Sequence, residues 1–430
     1  MLVNPARNLP READPWAWSA LFAALFLALV WHRLGIPSEI YFDEVHYVPA
    51  ARKLLVLQFA NPEHPLLGKE LIALSMRLFG DSPIAWRAPS ALLGTFGLYA
   101  FARLMWFASY SRFATIAGQF LLATGFGWFV QSRIAMLDMP MMALAMAALG
   151  QCAAAVRHPA QGGWRLAVAG LCLGLSLAAK WSVAPLAMLP GLVFLIGKLR
   201  DCGPRFLIKK AGGPVPGVAL WQAALWLGLA PLAVYWATFA PAFFYADRPV
   251  SPWGVIEQHR YMLQLQDSVR KLHPYRTVWY QWVSNWRGLW YLYRDIDGAW
   301  RGVLNIGNPF TVLAGLPALL WCLGSGLWQR HWGKLGMVAA YAALLTLWMV
   351  TSKPIQFYYH YLLPSAFLCG ALALALDDLW QSRRVWRWLA PAALLAAAGM
   401  FIHFYPILSA APLEGGKATF RQWMWLKSWI

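Results

Sequence analysis

Apolar runs of about twenty residues recur along this chain, and no other feature limits its fold so tightly. Lipid offers no partner to an exposed backbone N–H or C=O, so each run must form a helix that satisfies its own backbone. Candidate spans fall near 16–35, 82–107, 113–130, 135–156, 164–179, 182–198, 218–240, 303–328, 334–351, 360–380 and 386–408. The runs at 164–179 and 182–198 are short for full crossings, which predicts a tilted, broken or partly re-entrant helix at one of them. Of 430 residues, 60% are hydrophobic and 13% charged, which excludes an ordinary soluble domain. The expected class is all-α, a polytopic membrane protein of about eleven transmembrane helices.

The 27 tryptophans, many near span ends, fit interfacial anchors whose ring is buried and whose N–H stays wet. A formal charge of +18 suggests nucleic acid, but the basic residues are scattered through short connections, so no nucleic-acid partner is expected. Cys152, Cys172, Cys202, Cys322 and Cys369 lack the close spacing of a metal or redox motif. Arg7 and Arg11 precede the apolar run Trp16 to Leu34, which reads as a first span because no cleavage site follows it.

With a cytoplasmic N-terminus, the same side receives Arg103 and Arg112, then Arg157 and Arg165, then Lys198, Arg200, Arg205, Lys209 and Lys210. Arg330 and Lys334 follow, with Arg383, Arg384 and Arg387, as the positive-inside rule asks. Two longer segments, 36–81 and 241–302, are then extracytoplasmic. The expected organisation is an N-terminal catalytic membrane region (1–240, with its first loop 36–81), an extracytoplasmic loop with interfacial helices (241–302) and a C-terminal membrane region (303–430).

Within Tyr41 to Tyr47, Asp43 and Glu44 stand where the chain leaves a membrane helix. Carboxylates at that depth are costly unless hydrated or paired, so they line a cavity or form a wetted helix end or salt bridge. Downstream, Asn61 to Lys69 is turn-rich, and its His64 and Lys69 suit either an anionic group or a loop that anchors the next helix. Arg87 enters a span near the boundary, where a guanidinium binds phosphate by paired donors or snorkels to head groups. Arg133 and Asp138 open another span, and a structural pair between them is the simpler reading. His259 and His273 lie among aromatics in an interfacial element, and Lys353 and His360 sit with aromatics at the mouth of a late span. Asp43, Glu44, His46 and His64 form no close metal motif, and the chain has no phosphate-binding glycine loop. Neither a metal nor another cofactor is expected.

Taken together, these segments resemble the protein O-mannosyltransferase family in its short bacterial form. The resemblance is carried by Tyr41 to Tyr47, Glu63 to Lys69, Trp86-Arg87 with Pro89 to Leu92, Lys180-Trp181, His273-Pro274-Tyr275, Gly307-Asn308-Pro309 and Tyr359 to Pro364. Leu66 stands where the usual loop pattern has a second proline. The resemblance implies a C-type membrane glycosyltransferase fold in the cell inner membrane with an extracytoplasmic active site. It also implies a polyprenyl-phosphate mannose donor, serine or threonine acceptors on a translocated protein, and association with the translocation machinery. It makes Asp43 the general base of an inverting transfer, with Glu44 orienting Arg87 or the acceptor. It further gives Arg87 and Lys353 to the donor phosphate, and His64, Lys69, Arg133, Asp138, His259, His273 and His360 to substrate binding or loop shaping. Two alternatives stay open: transfer of a carrier-linked sugar to lipid A or a cell-wall glycan, and a transporter or lipid flippase, which would predict repeated halves.

Overall fold

The computed structural model describes residues 12–268, 273–351, 353, 355–382 and 385–430. Arg7, Arg11, Arg383 and Arg384, named above, lie outside the described residues. The helices are α1 (Trp16–Trp31), α2 (Glu44–Leu55), α3 (Leu67–Phe79), α4 (Pro83–Ser109), α5 (Arg112–Ala123), α6 (Phe126–Gln131), α7 (Asp138–Arg157), α8 (Gly162–Ala179) and α9 (Ala184–Cys202). After them come α10 (Leu220–Ala224), α11 (Ala230–Ala237), α12 (Val255–Ser268), α13 (Trp279–Val283), α14 (Pro309–Gln329), α15 (Trp332–Val350), α16 (Leu362–Trp380) and α17 (Leu389–Leu408). Strands β1 (Leu289–Ile296) and β2 (Ala299–Asn305) form one antiparallel hairpin.

Each of the eleven apolar runs is helical, and among the described residues nine helices are long and apolar enough to cross a membrane. The chain is a multi-pass membrane protein. The other two runs are α1, which is 16 residues long, and 113–130, which divides into α5 and α6 at Thr124-Gly125. The short runs at 164–179 and 182–198 are not the broken ones, because flanking 3₁₀ turns extend them to Pro159–Ala179 and Trp181–Arg205. A π turn at Leu225–Leu229 joins α10 to α11. Pro231 has no N–H to give the Leu227 carbonyl, so the regular ladder cannot pass through.

Small residues let the spans approach. At Gly97 of α4 an added Cβ would stand 2.9 Å from the Ala143 Cα of α7, so these backbones meet where only glycine fits. The hairpin was not foreseen, and it shortens the expected span at 303–328. Asp297 and Gly298, both at positive φ, make its two-residue turn. The span then begins at Pro309, where Asn308 accepts from the Thr311 N–H at 3.3 Å and proline fills the first helical position.

The ends of the spans sort by chemistry. Arg87 near the start of α4, Asp138 at the start of α7, Lys180 after α8, Lys353 after α15 and Tyr359 before α16 belong to one end of the bundle, with α2, α3 and the hairpin. Arg103, Arg157, Lys198 and Lys334 lie toward the other ends of their helices.

Candidate active site

The two adjacent acids have different fates. Glu44 is fully buried and carries four donors: Arg87 Nε (2.8 Å) and the Ala135 N–H (2.9 Å) on Oε1, Arg87 Nη2 (2.9 Å) and the Tyr41 N–H (3.2 Å) on Oε2. Arg87, also fully buried, spends its remaining N–H groups on the carbonyls of Leu34 (3.1 Å), Pro37 (2.7 Å) and Glu39 (3.0 Å). A guanidinium has five N–H donors, and all are taken. The expectation that Arg87 grips the donor phosphate is therefore corrected: it ties the loop after α1 to α2 and α4. Glu44 is likewise saturated, with both oxygens accepting two bonds each.

Asp43, by contrast, is only half-buried and its carboxylate caps no helix N–H. Burial pushes its carboxyl up to about 6, against the pull of Lys180 and His46, while Asp138 pushes the same way as burial and Lys353 opposes it. Those four groups are thus near enough for their charges to act on Asp43. Lys353 is half-buried, and burial first, then Lys180, brings its ammonium down to about 8.

Lys180 is the residue that sequence reasoning left out of the site, though it lay in a stretch carrying the resemblance. Its Nζ donates to both Asp138 oxygens, at 2.9 and 3.0 Å, and stands 4.7 Å from the centroid of the Tyr359 ring. The expected Arg133–Asp138 pair does not form. Arg133 turns instead to the carbonyls of Val30 (2.6 Å), His32 (2.7 Å), Arg33 (3.2 Å) and Ser409 (3.4 Å), stitching α1 to the end of α17. A narrow cavity beside the Lys180–Asp138 pair is lined by Asp138, Met141, Ser182, Leu344, Trp348, Tyr359 and His360.

The remaining candidates shape the surroundings. Lys69 is fully buried, donates to the His64 carbonyl at 2.8 Å and also to the Asn61 carbonyl, and so folds the loop 61–66 around its own head. Burial draws its ammonium down to about 7 and holds the His64 imidazole well below its ordinary value. His259 bonds to the Tyr235 hydroxyl and stacks on Trp181, with centroids 5.5 Å apart. His360 accepts the Phe357 N–H at 3.0 Å and packs against Trp348. His273 is exposed and accepts the Tyr275 N–H at 3.1 Å. Each of these three rings holds a loop, and His360 also lines the cavity beside Asp138.

The aromatic motifs meet at one clamp. Asn285 and Gly307 exchange two hydrogen bonds (3.0 and 3.1 Å), and Tyr358 donates to Asn285 Oδ1 at 2.6 Å while accepting the Gly307 N–H at 2.8 Å. Segments 273–286, 307–309 and 358–361 are far apart in sequence, and this clamp fixes the strip that carries Lys353 and Tyr359.

Residues 63–211 match a family model described as dolichyl-phosphate-mannose-protein mannosyltransferase, and residues 19–86 match a second model of the same description. A polyprenol-phosphate-mannose–protein mannosyltransferase of Mycolicibacterium smegmatis is 26% identical, with 100% of this chain and 97% of that protein covered. The chain is thus similar to protein O-mannosyltransferases along its whole length. The protein of the same name from Mycobacterium tuberculosis is also 26% identical, over 90% of this chain and 86% of its own. In fold, the chain matches the Saccharomyces cerevisiae Pmt1–Pmt2 complex bound to the sugar donor, with a TM-score of 0.84 and 14% identity over 99% of this chain and 93% of that one. ArnT from Cupriavidus metallidurans, in the apo state, matches at a TM-score of 0.59 and 15% identity over 92% of this chain and 76% of its own. The architecture is the C-type membrane glycosyltransferase fold, as the resemblance implied.

Proposed function

We propose that this chain is a polyprenyl-phosphate-mannose–protein mannosyltransferase that moves a mannosyl residue onto serine or threonine hydroxyls, with inversion. The observation that carries the reading is the Asp43 carboxylate, which caps no helix N–H and feels the charges of Lys180 and Lys353, at one end of the bundle. Asp43 takes the proton of the acceptor hydroxyl as its oxygen bonds to the anomeric carbon. The bond from that carbon to the phosphate oxygen breaks, and the polyprenyl phosphate leaves with the electron pair. A base of this kind contributes about 10²–10⁴-fold. Lys353 and Lys180 neutralise charge on the leaving phosphate; Lys180, held by Asp138, keeps a third N–H for this.

This reading assigns the phosphate to two lysines rather than to Arg87. It needs no metal, since the donor's leaving group is stabilised by ammonium groups and the acid beside Asp43 is committed to an arginine. The catalytic centre then draws on residues 1–240 together with the strip 353–361. The basic residues at the far ends of the spans support a cytoplasmic side there by the positive-inside rule, and so support a site on the extracytoplasmic face of the cell inner membrane, near translocated acceptors. That position is what suggests association with the translocation machinery.

The test is transfer from labelled polyprenyl-phosphate mannose by the purified protein, offered a Ser/Thr-rich peptide and, separately, lipid A. Label on the peptide, removed by β-elimination, is the expected result; label on lipid alone overturns the acceptor.

A further inference from the structure

Phe42, the residue before Asp43, has φ of 51°, the left-handed region that a bulky L-residue avoids. Such strain persists only where the surroundings over-determine it. Here its ring stacks on Tyr291, with centroids 4.0 Å apart and planes 14° from parallel, and meets the edge of Tyr359 at 6.1 Å.

Tyr291 is built to hold still. It sits at the register shift of the hairpin, between the pairs Trp290 with Leu304 and Leu292 with Val303, so a β-bulge turns its side chain out of the ladder's alternation. It is buried, and its hydroxyl oxygen accepts from Gln131 Nε2 at 2.9 Å and Asn305 Nδ2 at 2.7 Å, pinning it from α6 and β2. On the other flank of Asp43, Glu44 is locked by Arg87. Both neighbours of the free carboxylate are therefore clamped, one by charge and one by an aromatic stack.

We propose that Tyr291, through its ring, is the positioning residue that holds Phe42 in its left-handed conformation and so aims the Asp43 carboxylate. The inference rests on Asp43 being the general base, and it gives the hairpin a role in the reaction: the bulge turns one strand residue onto the acid-bearing loop. Loss of the stack lets Phe42 relax to negative φ, and the peptide that leads into Asp43 turns with it. Donor contacts at Lys180 and Lys353 lie on other elements and are left in place.

The experiment measures kcat and donor KM from pH 5 to 8 for the full-length protein in nanodiscs, with labelled polyprenyl-phosphate mannose and a Ser/Thr-rich peptide. The variants are Tyr291→Phe, Tyr291→Leu, Phe42→Leu and the Leu/Leu double, with Asp43→Asn alongside. Tyr291→Leu is expected to lower kcat by about tenfold, as 1.4 kcal/mol of misplacement would, with donor KM within about twofold. Tyr291→Phe keeps the ring and loses no more than about threefold, and the double variant is no slower than the slower single, because both remove one contact. The acid limb of kcat/KM moves down in Tyr291→Leu as Asp43 gains water, which a merely structural loss would not produce. Wild-type kcat in Tyr291→Leu or Phe42→Leu, equal losses in Phe and Leu, or an additive double overturns the proposal. Should Tyr291→Leu not fold, Phe42→Leu and Tyr291→Phe decide alone. An active Asp43→Asn would instead refute the base, whatever Tyr291 does.

Discussion

Replacing Arg87 with alanine separates two accounts of that residue. As a phosphate ligand it would raise donor KM and leave stability alone. As the anchor seen here, its loss strands the Glu44 carboxylate in a fully buried site and leaves the Leu34, Pro37 and Glu39 carbonyls without their donor. Breaking a buried ion pair by removing one partner costs about 3–5 kcal/mol, and each carbonyl that water cannot reach adds to it by about 1–3 kcal/mol. Arg87→Ala is therefore expected to lose at least about 3 kcal/mol of unfolding free energy, measured by denaturant titration in mixed micelles. Glu44→Gln keeps two of the four accepted bonds on its oxygen and costs less. A further variant, Arg87→Met with Glu44→Leu, removes both charges and should recover part of the loss, because an apolar pair of similar volume replaces an ionic one. Stability within about 1 kcal/mol of wild type, together with a tenfold rise in donor KM, would refute the anchor and restore Arg87 to the phosphate.

Other consequences can be checked directly. Turnover should fall as pH drops through about 6, where burial has set the Asp43 carboxyl, and a profile flat down to pH 4.5 would contradict the base. The same shift has a stability sign: the folded carboxyl holds its proton more tightly than the unfolded chain's, so this group's stabilisation is present at low pH and lost as pH rises through about 6. Lys353→Met and Lys180→Met should each raise donor KM by about tenfold or more, since a charge-assisted contact is worth about 1.5–3 kcal/mol. In Lys180→Met, adding Asp138→Asn should restore stability without restoring affinity. Gly307→Ala would set a Cβ 2.4 Å from Val312 Cγ2 and 2.6 Å from the Tyr358 hydroxyl, costing about 1–3 kcal/mol in thermal unfolding.

The membrane class was legible in the sequence because the length and apolarity of a span follow from the bilayer alone. The charged positions were legible as well, but their partners were not. Arg133 lies five residues before Asp138, yet it faces carbonyls of α1 and α17 while Asp138 meets Lys180 from α8. Sequence proximity carries no information on such tertiary pairing. Arg87 looked free because the turn of chain from Leu34 to Glu39 that supplies its acceptors has no sequence signature. The hairpin did have one: Asp297-Gly298 between aromatic and β-branched runs is a two-residue turn signal, passed over because the segment read as interfacial helix. With it went Tyr291.

The central claim is that Asp43 takes the proton of the acceptor hydroxyl. Asp43→Asn keeps the size of the side chain and removes the base. Single-turnover transfer from bound polyprenyl-phosphate mannose to a Ser/Thr-rich peptide, with donor binding measured on the same sample, tests it most directly. The expected result is a fall of about 10²–10⁴-fold in rate with donor binding unchanged; transfer at near wild-type rate by a correctly inserted Asp43→Asn protein would contradict the account.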